Sequence, residues 1–180
     1  MVDKKTLSAI HARFRQLRNG EVTDNLYAQG ISYKLAWGLE SYRLREIAQD
    51  FEPSQELAEA LWNEEIRESK MLATRLYPTD CITKETAIAW VKEAKYAELA
   101  DQICMNMLAK MRSAQQIAEE LADNDIKNEP ISIYAALKLA TRIELVSDKL
   151  FSLAESILNS DTEIFIKTAA LWYKQVYEQS

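Results

Sequence analysis

Residues 61–76 read LWNEEIRESKMLATRL and decide the fold. They place Leu61, Trp62, Ile66, Met71, Leu72 and Leu76 so that two successive helices share one apolar face, with a break near Asn63. The same grammar runs outward in both directions. Helical spacing predicts helices at about 3–18, 40–51, 54–64, 67–77, 84–95, 98–110, 114–123, 131–145, 148–159 and 162–178. Ser54 and Thr83 stand where an N-cap is needed, and Ser113 with Gln116 fits a capping box. Pro130 suits a first helical turn, and Asp161 or Thr162 can cap the last helix. Residues 19–36, with Gly20, Gly30 and nearby Gly38, read as the most loop-like part of the chain. Short links favour antiparallel neighbours, and pairs recur at 54–77, 84–110, 114–145 and 148–178. That loose repeat is compatible with an α-solenoid, and equally with a compact irregular bundle.

Composition supports an all-α chain: 180 residues hold only three Gly and three Pro, too few for a loop-rich or all-β protein. This length predicts a single domain over residues 1–180 with a core that needs neither disulfide nor metal. No apolar run reaches the ~20 residues that span a bilayer. The charged N-terminus, MVDKKTLSAIHARFRQLR, does not read as a secretory signal. A cytoplasmic protein is expected, with Cys81 and Cys104 as reduced, buried, structural thiols. The net charge of −6 argues against nucleic-acid binding by bulk charge. The distribution is uneven, however: Lys4, Lys5, Arg13, Arg15 and Arg18 face Asp3 alone in the first 18 residues. Such a helix either holds a phosphate backbone or is simply a solvated face.

Common catalytic constellations are missing. His11 is the one histidine, so His-based triads and multi-His metal sites are excluded, and no Gly-rich phosphate loop or CxxC occurs. No metal or cofactor is expected. Glu64, Glu65 and Glu68 read as a solvated helix face. Asp101 lies near the start of a helix whose other face is apolar, where it can serve chemistry or simply meet the positive end of the helix dipole. Trp62, Trp90 and Trp172 sit at helical spacing, where a tryptophan is ordinarily core, whereas Trp37 beside Gly38 is expected to be more exposed.

Four segments resemble the HEAT-repeat alkylpurine DNA glycosylases, the DNA alkylation repair enzyme family. They are Gly38 to Ala48 (GLESYRLREIA), Leu61-Trp62 through Glu68 to Ala73, Asp101 to Asn106 (DQICMN), and Phe165 to Trp172 (FIKTAALW). The resemblance implies a right-handed α-α superhelix of HEAT-like antiparallel helix pairs that cups double-stranded DNA on its concave face. It implies a substrate base made cationic by alkylation at N3 or N7 of a purine, held against aromatic faces. A carboxylate would stabilise positive charge on the sugar as the glycosidic bond breaks. Asp101 takes the catalytic aspartate position and Trp172 that of the C-terminal tryptophan. The basic first helix would hold phosphates. Two departures stand out: the family's second tryptophan, one turn before the aspartate, is Ala97, and its Arg-Arg stretch falls on apolar Ile133 to Leu137. The expectation is therefore a glycosylase-like protein with weakened or lost catalysis. The alternative is a non-catalytic HEAT-repeat module whose groove takes a protein or a nucleic-acid backbone.

Overall fold

The computed structural model describes residues 4–179, and every regular element among them is helical. Contacts divide the chain into two compact units, residues 1–81 and 82–180. The first holds α1 (Lys4–Gln16), α2 (Gly20–Ala28), α3 (Ser41–Ala48), α4 (Gln55–Trp62) and α5 (Arg67–Leu76). The second holds α6 (Lys84–Glu93), α7 (Ala97–Asn106), a 3-10 turn (Leu108–Lys110), α8 (Ala114–Leu121), α9 (Pro130–Arg142), α10 (Asp148–Leu158) and α11 (Ile164–Gln179).

In the first unit α4 and α5 pack as the antiparallel pair read from residues 61–76. Leu61, Trp62, Met71, Leu72 and Leu76 are buried there, each contributing about 1.5–3 kcal/mol, while Ile66 at the seam is half-buried. Ser54 caps α4 by accepting the Leu57 N–H. α5 has no side-chain cap. Its start is met by the 31–40 loop instead, where the Arg67 N–H donates to the Leu35 carbonyl at 3.0 Å.

Glu68 locks that loop. Its carboxylate is completely buried. Oε1 accepts the N–H groups of Gly38 (3.0 Å) and Leu39 (3.2 Å), and Oε2 that of Trp37 (2.9 Å). Arg67 Nη1 donates to the same Oε1 at 3.0 Å and to the Leu39 carbonyl at 2.9 Å. The expected solvated cluster is thus corrected: Glu68 is core, Glu64 is half-buried against His11 and Ser69, and only Glu65 stands in solvent, paired with Lys34. A carboxylate in the first turn of α5 satisfies orphan amides better than water can once the loop closes over it. Gly38 makes the turn possible. Its φ is +74°, and a Cβ would lie 2.0 Å from the Asn19 carbonyl oxygen.

Residues 20–28 are helical, correcting the loop reading; Asn19 supplies the cap, accepting the Val22 N–H at 3.4 Å. In the second unit Thr83 caps α6 and Pro130 opens α9, as the sequence reads. Ser113 makes no cap bond, because its backbone (φ −88°, ψ 10°) is not in the extended region a cap requires. α11 starts at Ile164, so Asp161 and Thr162 lie beyond its cap position. Cys104 is buried as expected, but Cys81 is exposed. No helix among the described residues is long and apolar enough to cross a membrane.

α7, α9 and α11, the second helices of successive pairs, form a consecutive row in the second unit, α9 packing on both neighbours. At the α9–α10 link the buried Tyr173 hydroxyl donates to the Leu145 carbonyl (3.0 Å) and accepts the Ser147 N–H (3.1 Å). This fixes the rotation of α11 and turns its neighbour Trp172 outward.

Candidate functional site

Asp101 stands in the second turn of α7, one turn after Ala97. Trp172 is on α11 and is 48% exposed, which corrects the expectation of a core tryptophan. Trp62 and Trp90 are buried. Trp37, in the other unit, is half-buried, with its indole Nε1 shielded and without a hydrogen bond.

What joins Asp101 to Trp172 is Lys138 of α9. Its ammonium lies 3.4 Å from Asp101 Oδ1 and 4.4 Å from the centre of the Trp172 ring, with the Tyr134 ring at 6.0 Å. The lysine side chain is 11% exposed and the Asp101 side chain 36%. Asp101 Oδ1 is itself buried and accepts no hydrogen bond. The 3.4 Å approach is therefore an ion contact, too long for a well-formed charge-assisted bond. Phe165 of α11 meets Tyr134 edge-on at 5.4 Å.

The face is built by helical spacing. Tyr134, Lys138 and Arg142 fall at i, i+4 and i+8 of α9. Asp101 and Cys104 fall at i and i+3 of α7 opposite. Burial first, and then the charge of Asp101, pushes the Cys104 thiol up to about 12 and the Tyr134 phenol above its ordinary value; Arg142 acts in the opposite sense on both. Cys104 Sγ donates to the Ala135 carbonyl at 3.5 Å. It is an inert packing residue.

Lys138 is the residue that sequence reasoning missed. The stretch judged apolar ended at Leu137, one residue short, and the Tyr134–Lys138–Arg142 spacing was the available signal. Chemically, the arrangement is a carboxylate and an exposed aromatic face sharing one cation. Among the described residues no group of three or more His, Cys, Asp or Glu side chains is placed to hold a metal.

The predicted phosphate-holding residues lie in the first unit. Lys4, Lys5, Arg13 and Arg15 are exposed on α1, and Arg18 is exposed just beyond it. Arg13 is paired with Asp50 at 3.0 Å.

Comparison with known proteins bears on both units. The profile of the family described as DNA alkylation repair enzyme matches residues 10–177. A solved structure described as a new family of proteins related to the HEAT-like repeat DNA glycosylases, with affinity for branched DNA structures, superposes with a TM-score of 0.77. The two chains are 16% identical, over 97% of this chain and 75% of the other, a likeness that shows a HEAT-like fold. The curated proteins gave no match. The chain carries the four segments that resemble the glycosylases in their order, and the family profile covers nearly its whole length: it belongs to the DNA alkylation repair enzyme family.

Proposed function

We propose that this protein binds DNA through its sugar-phosphate backbone and does not excise alkylated bases. The observation that carries this reading is the Lys138 ammonium, set against both Asp101 and Trp172. An excising site of this kind needs the aromatic face free for a cationic base and the carboxylate free for charge developing on the sugar. Here one resident cation takes both. To enter, a lesion must displace it, forfeiting about 1–2 kcal/mol of cation–π attraction and at most about 1 kcal/mol of partly exposed ion pairing. Together these weaken lesion binding by about 5- to 150-fold at 1.4 kcal/mol per decade. Ala97, where the resemblance places a second tryptophan, offers only a methyl group.

Duplex DNA is the expected partner, held by Lys4, Lys5, Arg13, Arg15 and Arg18, and the structural relative's described affinity for branched DNA makes a four-way junction the second probe. A protein partner is the second reading, favoured by Ile164, Leu171 and Trp172, which stand exposed along α11.

The test is to incubate the protein with duplex DNA containing 7-methylguanine while titrating duplex and junction DNA at several salt concentrations. Salt-sensitive binding with no base release is the expected result. Base release lost in Asp101→Asn would refute the proposal, and failure to bind either DNA would turn attention to the exposed α11 face.

A further inference from the structure

In the first unit Arg75, in the last turn of α5, lays its guanidinium on the first turn of α3. Its Nη2 donates to Ser41 Oγ at 2.7 Å and to the Ser41 carbonyl at 3.3 Å. Nε is buried and finds no acceptor. Arg45 stands four residues, one helical turn, after Ser41, so it shares the face of α3 on which Arg75 lies. Both burial and that like charge disfavour the Arg75 cation. Neither arginine has a carboxylate partner among the described residues. Four other cations of this unit are paired, Arg13 with Asp50, Lys34 with Glu65, Arg43 with Glu46 and Arg67 with Glu68.

A partly desolvated guanidinium on the same helix face as a second arginine, with no carboxylate partner, is a place where an anion is favoured. The fork geometry of arginine matches phosphate oxygens in pairs. On another face of α3's first turn, Arg18, Asn19, Tyr42 and Arg43, with the carboxylate of Glu40, line a pocket of about 180 Å³; Arg43 there is paired with Glu46. Cations placed on two faces of one helix start suit successive groups of a chain better than a single small anion.

We propose that Arg45 and Arg75, brought together on packed helices with no carboxylate between them, seat a phosphodiester group of DNA. This rests on the DNA-binding function proposed above and names residues beyond the basic first helix. Arg45 is exposed, so Arg45→Gln tests the pair without disturbing the core; Arg75→Lys, which keeps charge and removes the fork, is the second variant. Two measurements are made on each: the rise in melting temperature produced by inorganic phosphate, and the slope of log K against log salt for duplex DNA. The expected result is a phosphate-induced rise in the wild type that disappears in Arg45→Gln, and a salt slope smaller by about 1. Lys127→Gln, on the exposed link before α9, changes neither. DNA binding with an unchanged slope in Arg45→Gln overturns this inference alone. Phosphate protection in a protein that binds no DNA refutes the proposed function and overturns the assignment to a nucleic-acid phosphate with it.

Discussion

Replacing Glu68 by Gln removes one charge and one acceptor from a site that uses both. The amide oxygen must take the Oε1 position, where three donors converge from Gly38, Leu39 and Arg67. The amide nitrogen then faces the Trp37 N–H across the 2.9 Å now spanned by a hydrogen bond. One buried bond becomes a donor–donor contact, and the buried Arg67 guanidinium loses the carboxylate beside it. Breaking a buried pair on one side costs about 3–5 kcal/mol. The amide keeps part of the dipole, so the lower figure, about 3 kcal/mol, is expected. At about 2–4 °C per kcal/mol for a chain of this size, the melting temperature should fall by about 6–12 °C. Urea unfolding and thermal melting, both followed by far-UV circular dichroism, measure it. Glu65→Gln, at the exposed carboxylate paired with Lys34, is the control and should melt like the wild type. A loss below about 1 kcal/mol for Glu68→Gln would refute the view that this carboxylate holds the 31–40 loop on α5.

Gly38→Ala combines a left-handed backbone at φ +74° with a Cβ 2.0 Å from the Asn19 oxygen; it should lose more than about 2 kcal/mol in urea unfolding, since the backbone conformation alone costs about 1–2. Ser54→Ala should cost about 1 kcal/mol through loss of the Leu57 cap, whereas Ser113→Ala, which removes no cap bond, should cost nothing measurable by the same assay. Cys104 is held protonated in the fold up to about 12. The unfolded thiol ionises first, so its contribution to stability is intact below pH 9 and falls by about 1.4 kcal/mol per unit above it. Cys104→Ala should flatten the pH dependence of the urea midpoint in that range. In native protein only Cys81 should react with a thiol reagent.

The helix pairs were legible because burial of one face imposes a 3.6-residue period that survives without any repeat in the letters themselves. α2 escaped because nine residues that open on Gly20 and are soon followed by Gly30 carry too little period to outweigh two turn signals. Glu68 escaped for another reason. Its partners are backbone amides of a loop some thirty residues earlier, and no local pattern distinguishes an acid that a loop will cover from one left in water. Asp101 and Trp172 were singled out through resemblance; helical spacing alone left Asp101 open between chemistry and the helix dipole and placed Trp172 in the core. Tyr173 resolves the second: its anchored hydroxyl leaves the adjacent residue about 100° away, facing out.

Lys138 has one more effect. DNA carries a negative charge roughly every 3.4 Å along each strand, and a lone carboxylate near it would repel it. Coupled to an ammonium 3.4 Å away, Asp101 presents a dipole whose field fades faster with distance than that of a single charge. Under the proposed DNA-binding function, the lysine set against the lesion position also softens the repulsion of a polyanion, and a Lys138→Met exchange made to free the acid would restore that repulsion.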